Sequence, residues 1–221
     1  LRRTFRKIGI SPYYNKKYHF TNKRIDVDYN NLRKYENIFI SGYFANQKYF
    51  LDIEKQIKKH FILKNKLNHD NNIILEKINN TNSASIHFRR GDYVQNDYFI
   101  NLSKVYYYNA VNYLNNKFED LTYFVFSDDL NWVKNNIKIN SNLIFVDVNC
   151  SRTDYMELKL MSSCKHNIIA NSTFSWWAAW LNNYEDKVVI VPSDWYNDQI
   201  QQKKYSEGTF IPINWQRIDC K

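Results

Sequence analysis

Between residues 84 and 191, short apolar runs alternate with stretches of helical periodicity. Ala84 to Arg89, Thr122 to Phe126, Leu143 to Val146, His166 to Ala170 and Lys187 to Val191 each read as strands. The segments between them read as helices: Lys104 to Asn115, Asp129 to Asn136, Asp154 to Lys165 and Phe174 to Leu181. Thr122-Tyr-Phe-Val-Phe126 is apolar almost throughout, as expected of a strand covered on both faces. Strand and helix in turn at this spacing predict an α/β fold on a doubly wound parallel sheet.

Upstream the signal is thinner. Ile38 to Phe44 reads as a short strand turning at Gly42, Tyr49 to Phe61 and Ile73 to Ile78 read as helical, and Asn79 to Ser83 reads as a polar loop. No internal repeat is visible.

In open parallel sheets, ligands bind at the carboxyl ends of the strands. Three loops there carry reactive or polar side chains. The first is His87-Phe-Arg-Arg-Gly-Asp-Tyr93. Alternation along the strand turns Ile86 and Phe88 to one face and His87 and Arg89 to the other. Gly91 is expected to permit a sharp exit. Adjacent guanidiniums suit a phosphate-bearing ligand, because the planar donor fork matches phosphate oxygens. The same residues could instead form an ion-pair network among Arg89, Arg90 and Asp92, and the motif alone leaves both readings open.

The second loop is Ser127-Asp128-Asp129, either an N-cap pair for the next helix or an acceptor for ribose or nucleobase. The third is Asn171-Ser-Thr-Phe-Ser175, ahead of a Trp-rich helix. Free backbone N–H groups at a helix start favour an anion, and Ser172, Thr173 and Ser175 could add hydroxyl donors. Plain N-capping is the competing reading, and the two are compatible. Trp176, Trp177 and Trp180 are expected in the core rather than on a sugar-stacking platform.

Composition narrows the classes. The net charge is +9, but the lysines are spread along the chain and form no nucleic-acid motif, so a solvated basic surface is expected and no nucleic-acid partner. A basic face could also bring the protein near an anionic membrane. The longest apolar runs are too short to span a bilayer, and the first residues lack the apolar core of a signal peptide. Cys150, Cys164 and Cys220 and the five histidines show no ligand spacing, so no metal is expected; an odd cysteine count fits a reducing compartment. Asn79, Asn101, Asn149 and Asn171 stand in glycosylation sequons, and Asn171 lies inside the proposed site.

Three blocks then carry a specific resemblance: His87 to Tyr93, Phe126-Ser-Asp-Asp129, and Leu160-Met-Ser-Ser-Cys-Lys-His-Asn-Ile-Ile-Ala-Asn-Ser-Thr-Phe-Ser-Trp-Trp-Ala-Ala-Trp-Leu181. Their order and spacing resemble the alpha-1,2-fucosyltransferase family, glycosyltransferase family 11. Ser41-Gly-Tyr-Phe44 with Tyr49-Phe50, and Val191-Pro-Ser-Asp-Trp195, extend the match over residues 38 to 195.

The resemblance implies a two-domain GT-B architecture, with residues 1–80 as the remainder of the acceptor-side domain and 81–221 as the GDP-sugar domain. It implies GDP-L-fucose as donor, a galactose-containing or lipid-linked glycan as acceptor, inversion at the anomeric carbon, and neither metal nor cofactor. Arg89 would hold the β-phosphate, with Arg90, His87 and Asp92 shaping the pocket and Asn171, Ser172, Thr173 and Ser175 lining the phosphate side. Asp128 and Asp129 would serve the nucleoside. Glu157 stands where the family usually has Asp and is a candidate for guanine recognition.

Such enzymes open with a Gly-Gly-Leu-Gly-Asn-Gln type segment that is not seen here. The rival expectation is therefore a catalytically incomplete GDP-sugar or glycan-binding remnant. A cytoplasmic place, at the inner face of a bacterial membrane with peripheral association, fits the expected chemistry.

Overall fold

The structure is a computed structural model and describes residues 18–21, 37–40, 47–63, 66–149, 153–207 and 210–220. The chain divides into two compact units, Leu1–Tyr49 and Phe50–Lys221. In the first, β1 (Tyr18–Thr21) and β2 (Asn37–Ile40) pair in parallel. The expected turn at Gly42 lies outside the described residues.

The second unit opens with α1 (Glu54–His60), preceded by a 3-10 turn at Leu51–Ile53, where one longer helix was expected. Helix α2 (His69–Asn79) follows, its first turn capped by Asn68, whose side chain accepts from the Asn71 amide. Then come β3 (Asn82–Phe88), α3 (Lys104–Asn115), β4 (Leu121–Ser127), α4 (Leu130–Asn136), β5 (Asn142–Phe145), α5 (Asp154–Ser163), β6 (His166–Ile168), α6 (Thr173–Leu181), β7 (Val189–Pro192), α7 (Gln199–Glu207) and β8 (Gln216–Ile218). Strands β3 to β8 form one six-stranded, wholly parallel sheet in the order β5-β4-β3-β6-β7-β8.

That order runs outward from β3 through β4 and β5, then returns to place β6 on the other flank of β3. The carboxyl ends of β3 and β6 therefore border the switch point, where an open parallel sheet presents a ligand crevice. Register aligns the edge: Phe88 pairs with Ser127 and Ile86 with Ile168. The loops after β3, β4 and β6 leave on the same side.

Side-chain alternation divides the core. Ala84, Ile86, Phe88, Tyr123 and Val125 pack with Tyr106, Tyr107, Ala110, Val111 and Leu114 of α3 and Val133 of α4. Phe124 and Phe126 face the other way, against Ile74 and Ile78 of α2, Leu160 and Met161 of α5, and Ala178 of α6. With both faces covered, β3 and β4 are buried almost throughout, as the apolar run at 122–126 predicts. Truncating a fully buried residue such as Ile86 should cost about 2–5 kcal/mol.

Helix α6 is fixed along its length. Trp176 and Trp180 are buried and meet the ring of Phe50, while Trp177 stacks on Phe50 at 5.3 Å and Phe61 at 5.4 Å. The tryptophans are thus packing groups, as expected. At its carboxyl end Asn182 donates to Cys164 O and to Asn167 Oδ1, and Asn167 donates to Ser85 Oγ on β3. Lys187 Nζ donates to the carbonyls of Ala179 and Asn182, so the terminal carbonyls are satisfied. A helix anchored this way aims its N-terminus without play.

Candidate active site at the carboxyl edge of the sheet

Beyond Phe88 the chain enters a short 3-10 turn at Gly91–Tyr93, with the amides of Tyr93 and Val94 both donating to Arg90 O. Arg89 is held at two points: Nη2 lies 2.6 Å from Asp92 Oδ1 and Nη1 3.1 Å from Asp128 Oδ2. Its guanidinium also lies 5.4 Å from the Tyr93 ring centre. Arg90 diverges. Its guanidinium lies over the Trp132 ring of α4 at 3.3 Å, and its Nε is 3.7 Å from Asp129 Oδ2, an ion-pair distance too long for a hydrogen bond. The two arginines serve opposite flanks of the loop rather than forming one double fork.

Asp128 ties the loops together. Oδ1 accepts from the Arg90 amide at 2.9 Å while Oδ2 pairs with Arg89. Gly91 is needed for this reason. A Cβ there would sit 2.7 Å from Asp128 Oδ2, so the glycine supplies room for the carboxylate, not the sharp turn expected from sequence. Asp129 caps α4, its side chain accepting from the Trp132 amide. Of the expected N-cap pair only Asp129 caps; Asp128 serves the arginine loop instead.

The third loop arrives on the β6 side. Ser172 caps α6, its Oγ accepting from the Phe174 amide at 3.3 Å. Ser175 is buried and donates back to Ala170 O and Ser172 O, and buried Asn171 donates to Ile100 O and Trp195 O. These two side chains hold the loop. Thr173, at the first helical position, is exposed. His87 lies beneath, 5.8 Å from the Phe174 ring and only 4% exposed.

Among the described residues, the buried side-chain polar atoms without a hydrogen-bond partner are His87 Nδ1, Arg89 Nε, Arg90 Nε and Tyr107 Oη. Three belong to the run His87-Phe-Arg-Arg90. Tyr107, on α3, meets the Phe88 ring at 4.0 Å, with its hydroxyl toward the Arg89 backbone. Orphaned buried polar groups are costly, so their gathering at one strand end singles this place out from the rest of the described fold.

His87 and Glu157, near this edge, are shifted, as are groups elsewhere in the fold such as His166 and Lys187. Burial first, then the Arg89 charge, drives the His87 pKa down to about 3, so the ring is neutral at ordinary pH. Glu157, in the first turn of α5, is pushed up to about 7, mainly by burial and then by Asp154, Asp128 and Asp147. Perturbed groups of this kind cluster at working sites. No group of three His, Cys, Asp or Glu side chains that could hold a metal occurs among the described residues.

The profile of "Glycosyl transferase family 11" matches residues 2–219. The chain belongs to this family. It is 36% identical over 186 residues to an alpha-1,2-colitosyltransferase of Escherichia coli, covering 80% of this chain and 61% of that protein. It is 42% identical over 123 residues to the O-antigen biosynthesis glycosyltransferase WbnK of Escherichia coli, covering 53% and 40% respectively. A galactoside 2-alpha-L-fucosyltransferase of Caenorhabditis elegans matches at 26% over 189 residues, 80% of this chain and 51% of its own. The chain thus spans between 40% and 61% of the length of these relatives.

The six-stranded parallel sheet is consistent with a GT-B-like glycosyltransferase fold. Within the family motifs, the fold draws His87, Arg89, Arg90, Asp92, Asp128 and Asp129 into one cluster, with Ser172 and Thr173 on the flanking helix start. Sequence reasoning missed Trp132 and Tyr107. Trp132 had a weak signal, an aromatic in the first turn after an Asp-Asp cap. Tyr107 read as one apolar contact of a helix, and only its stranded hydroxyl distinguishes it.

Proposed function

We propose that this chain carries the donor site of a glycosyltransferase that moves L-fucose from GDP-L-fucose to the 2-hydroxyl of a galactoside, with inversion and without a metal or cofactor. The observation that carries the reading is the cluster of unpaired buried polar atoms around Arg89, at the sheet's switch point and beside the α6 N-terminus. A diphosphate would supply acceptor oxygens for the N–H donors that Asp92, Asp128 and Asp129 leave unbonded. In this reading residues 81–221 carry the donor-site loops, and α2, which packs on their sheet, belongs with them.

The chemistry follows from where charge develops. The bond from the anomeric carbon to the β-phosphate oxygen breaks, leaving the electron pair on GDP. The acceptor oxygen forms the new bond from the opposite face and gives its proton to a base. Arg89 and the α6 amides meet the diphosphate when its charge is greatest, which lowers the barrier rather than only aiding binding. Asp92 and Asp97 are the candidates for the base. Asp92 carries the Arg89 pair as well, so it orients the arginine. Glu157 and Asp128 offer carboxylates to the N–H donors of guanine; burial raises Glu157 to about 7, and bonds from a bound base would favour its ionised form.

No helix among the described residues is long and apolar enough to cross a membrane. We place the reaction in the cytoplasm at the inner face of a bacterial membrane, on lipid-linked or surface-polysaccharide precursors.

The colitosyltransferase relative favours a second donor, a colitosyl nucleotide. Calorimetry with GDP, followed by transfer assays with radiolabelled GDP-L-fucose and a colitosyl donor, tests all of this. GDP binding with fucose transfer supports the reading; transfer only from the colitosyl donor replaces the sugar. Binding without either transfer makes the chain a GDP-sugar-binding remnant.

A further inference from the structure

Along the same edge, starting beside Arg89 and running toward the loop after β7, lies a row of aromatic rings that the donor reading leaves unused. Tyr93 stacks on Phe99 with centroids 4.3 Å apart and planes at 8°. Phe99 meets Tyr98 edge-on at 5.0 Å and Tyr196 at 5.7 Å, and Tyr98 meets Tyr196 at 5.2 Å. The row starts at Arg89, whose guanidinium neighbours Tyr93. It ends on Tyr98, which is 40% exposed.

Three loops combine to hold it. Phe99 bridges Tyr196 across the loops after β3 and β7. Asn197 Nδ2 donates to Asp97 O and Phe99 O, both at 2.9 Å, and the Asn197 amide donates to Tyr98 O. Buried Asn171, from the loop after β6, donates to Ile100 O at 2.8 Å and Trp195 O at 3.1 Å. Packing alone would bury the terminal ring. Here the backbone is clamped on both sides of Tyr98 while its ring meets solvent at the end of the row away from Arg89, which is preorganisation rather than core filling.

We infer that Tyr98, backed by Phe99 and Tyr196, is a stacking subsite for a neutral pyranose ring of the glycan acceptor. The position decides between occupants. From Arg89, the carboxylates of Asp128 and Glu157 lie toward β4 and α5, where a base with N–H donors finds acceptors. The aromatic row leaves that end at Tyr93, which neighbours Asp92 and Asp128, and runs toward the loop after β7 through Phe99, Tyr196 and Tyr98. An aromatic face accepts the C–H face of a sugar, and a diphosphate on Arg89 would put the reacting sugar between the two. This inference rests on the donor reading above.

The test uses the 221-residue protein with GDP and lactose as probes. Lactose contact is read by saturation-transfer NMR and GDP affinity by calorimetry, for the unmodified protein, Tyr98→Ala and Tyr98→Phe. We expect Tyr98→Ala to weaken lactose binding about three- to tenfold while GDP affinity stays within about twofold, and Tyr98→Phe to keep both. Loss of GDP affinity in Tyr98→Ala with lactose unchanged would assign the rings to the nucleobase and overturn the inference. So would GDP binding with no lactose contact at Tyr98. A Tyr98-dependent lactose contact in a protein that never binds GDP supports the subsite and removes the donor reading. Binding of neither probe removes both.

Discussion

Arg89 and Asp128 pair at 3.1 Å across the ends of two adjacent strands, with the carboxylate in the space that a side chain at position 91 would take. One carboxylate thereby fixes the arginine head through Oδ2 and the next backbone amide through Oδ1. The loop that would grip a phosphate is shaped by an anion of the protein itself. Arg89 still keeps an unbonded Nε, so it is oriented without being used up.

Replacing Arg89 by Ala should weaken GDP about 10- to 100-fold, the loss of one or two charge-assisted bonds. Arg89→Lys should recover little, because the ammonium lacks the fork that Asp92, Asp128 and a phosphate share. Calorimetry on both variants checks this. Near-normal GDP affinity in the Lys variant would contradict the phosphate role.

Gly91→Ala should displace the Asp128 carboxylate and release Arg89, with a stability cost of only about 1 kcal/mol because a side-chain tip can move. GDP affinity should fall more than the melting temperature suggests. Thermal unfolding and calorimetry on the same sample separate the two effects.

Ser172→Ala and Thr173→Ala should part company. Ser172 caps α6, so its loss should destabilise the fold by about 1 kcal/mol. Thr173 is exposed and should leave stability unchanged within about 0.5 kcal/mol while weakening GDP. Equal GDP affinity in Thr173→Ala and the unmodified protein would remove Thr173 from the site.

Stability should carry two opposed pH slopes. His87 and His166 are lowered to about 3 and about 4, chiefly by burial, so the folded state resists protonation that the unfolded chain accepts near 6.5. Their contribution is present above 6.5 and is lost as pH falls toward those values. Glu157 runs the other way. Raised from 4.5 to about 7, it favours the folded state below 4.5 and loses that advantage as pH rises through about 7. Thermal melts of Glu157→Gln should therefore gain relative to the unmodified protein between those limits. Melts of His87→Phe should flatten the acid limb.

The alternation of apolar runs and helical periods suffices for the parallel, doubly wound sheet, because strands covered on both faces must be apolar throughout and helices between them must show one apolar stripe. It suffices as well for Lys104 to Asn115, where expectation and helix coincide. It misses β8 and α7. Strand β8 is three residues of mixed polarity, and α7 carries seven polar or charged residues with Ile200 exposed. Neither offers a period to read.

At the site, the sequence by itself determined which residue types stand at the strand ends, since motif order places His87 to Asp92, Asp128 and Asp129, and Ser172 and Thr173 after successive strands. Only the tertiary structure decided how they are used. It parted Arg89 from Arg90, gave Asn171 and Ser175 to the backbone, made Gly91 a matter of space, and stranded the Tyr107 hydroxyl beneath the loop. The reason is physical: periodicity along a chain fixes which face a side chain takes. Distances between loops depend on strand register and on the carboxylates and rings that neighbouring strands bring.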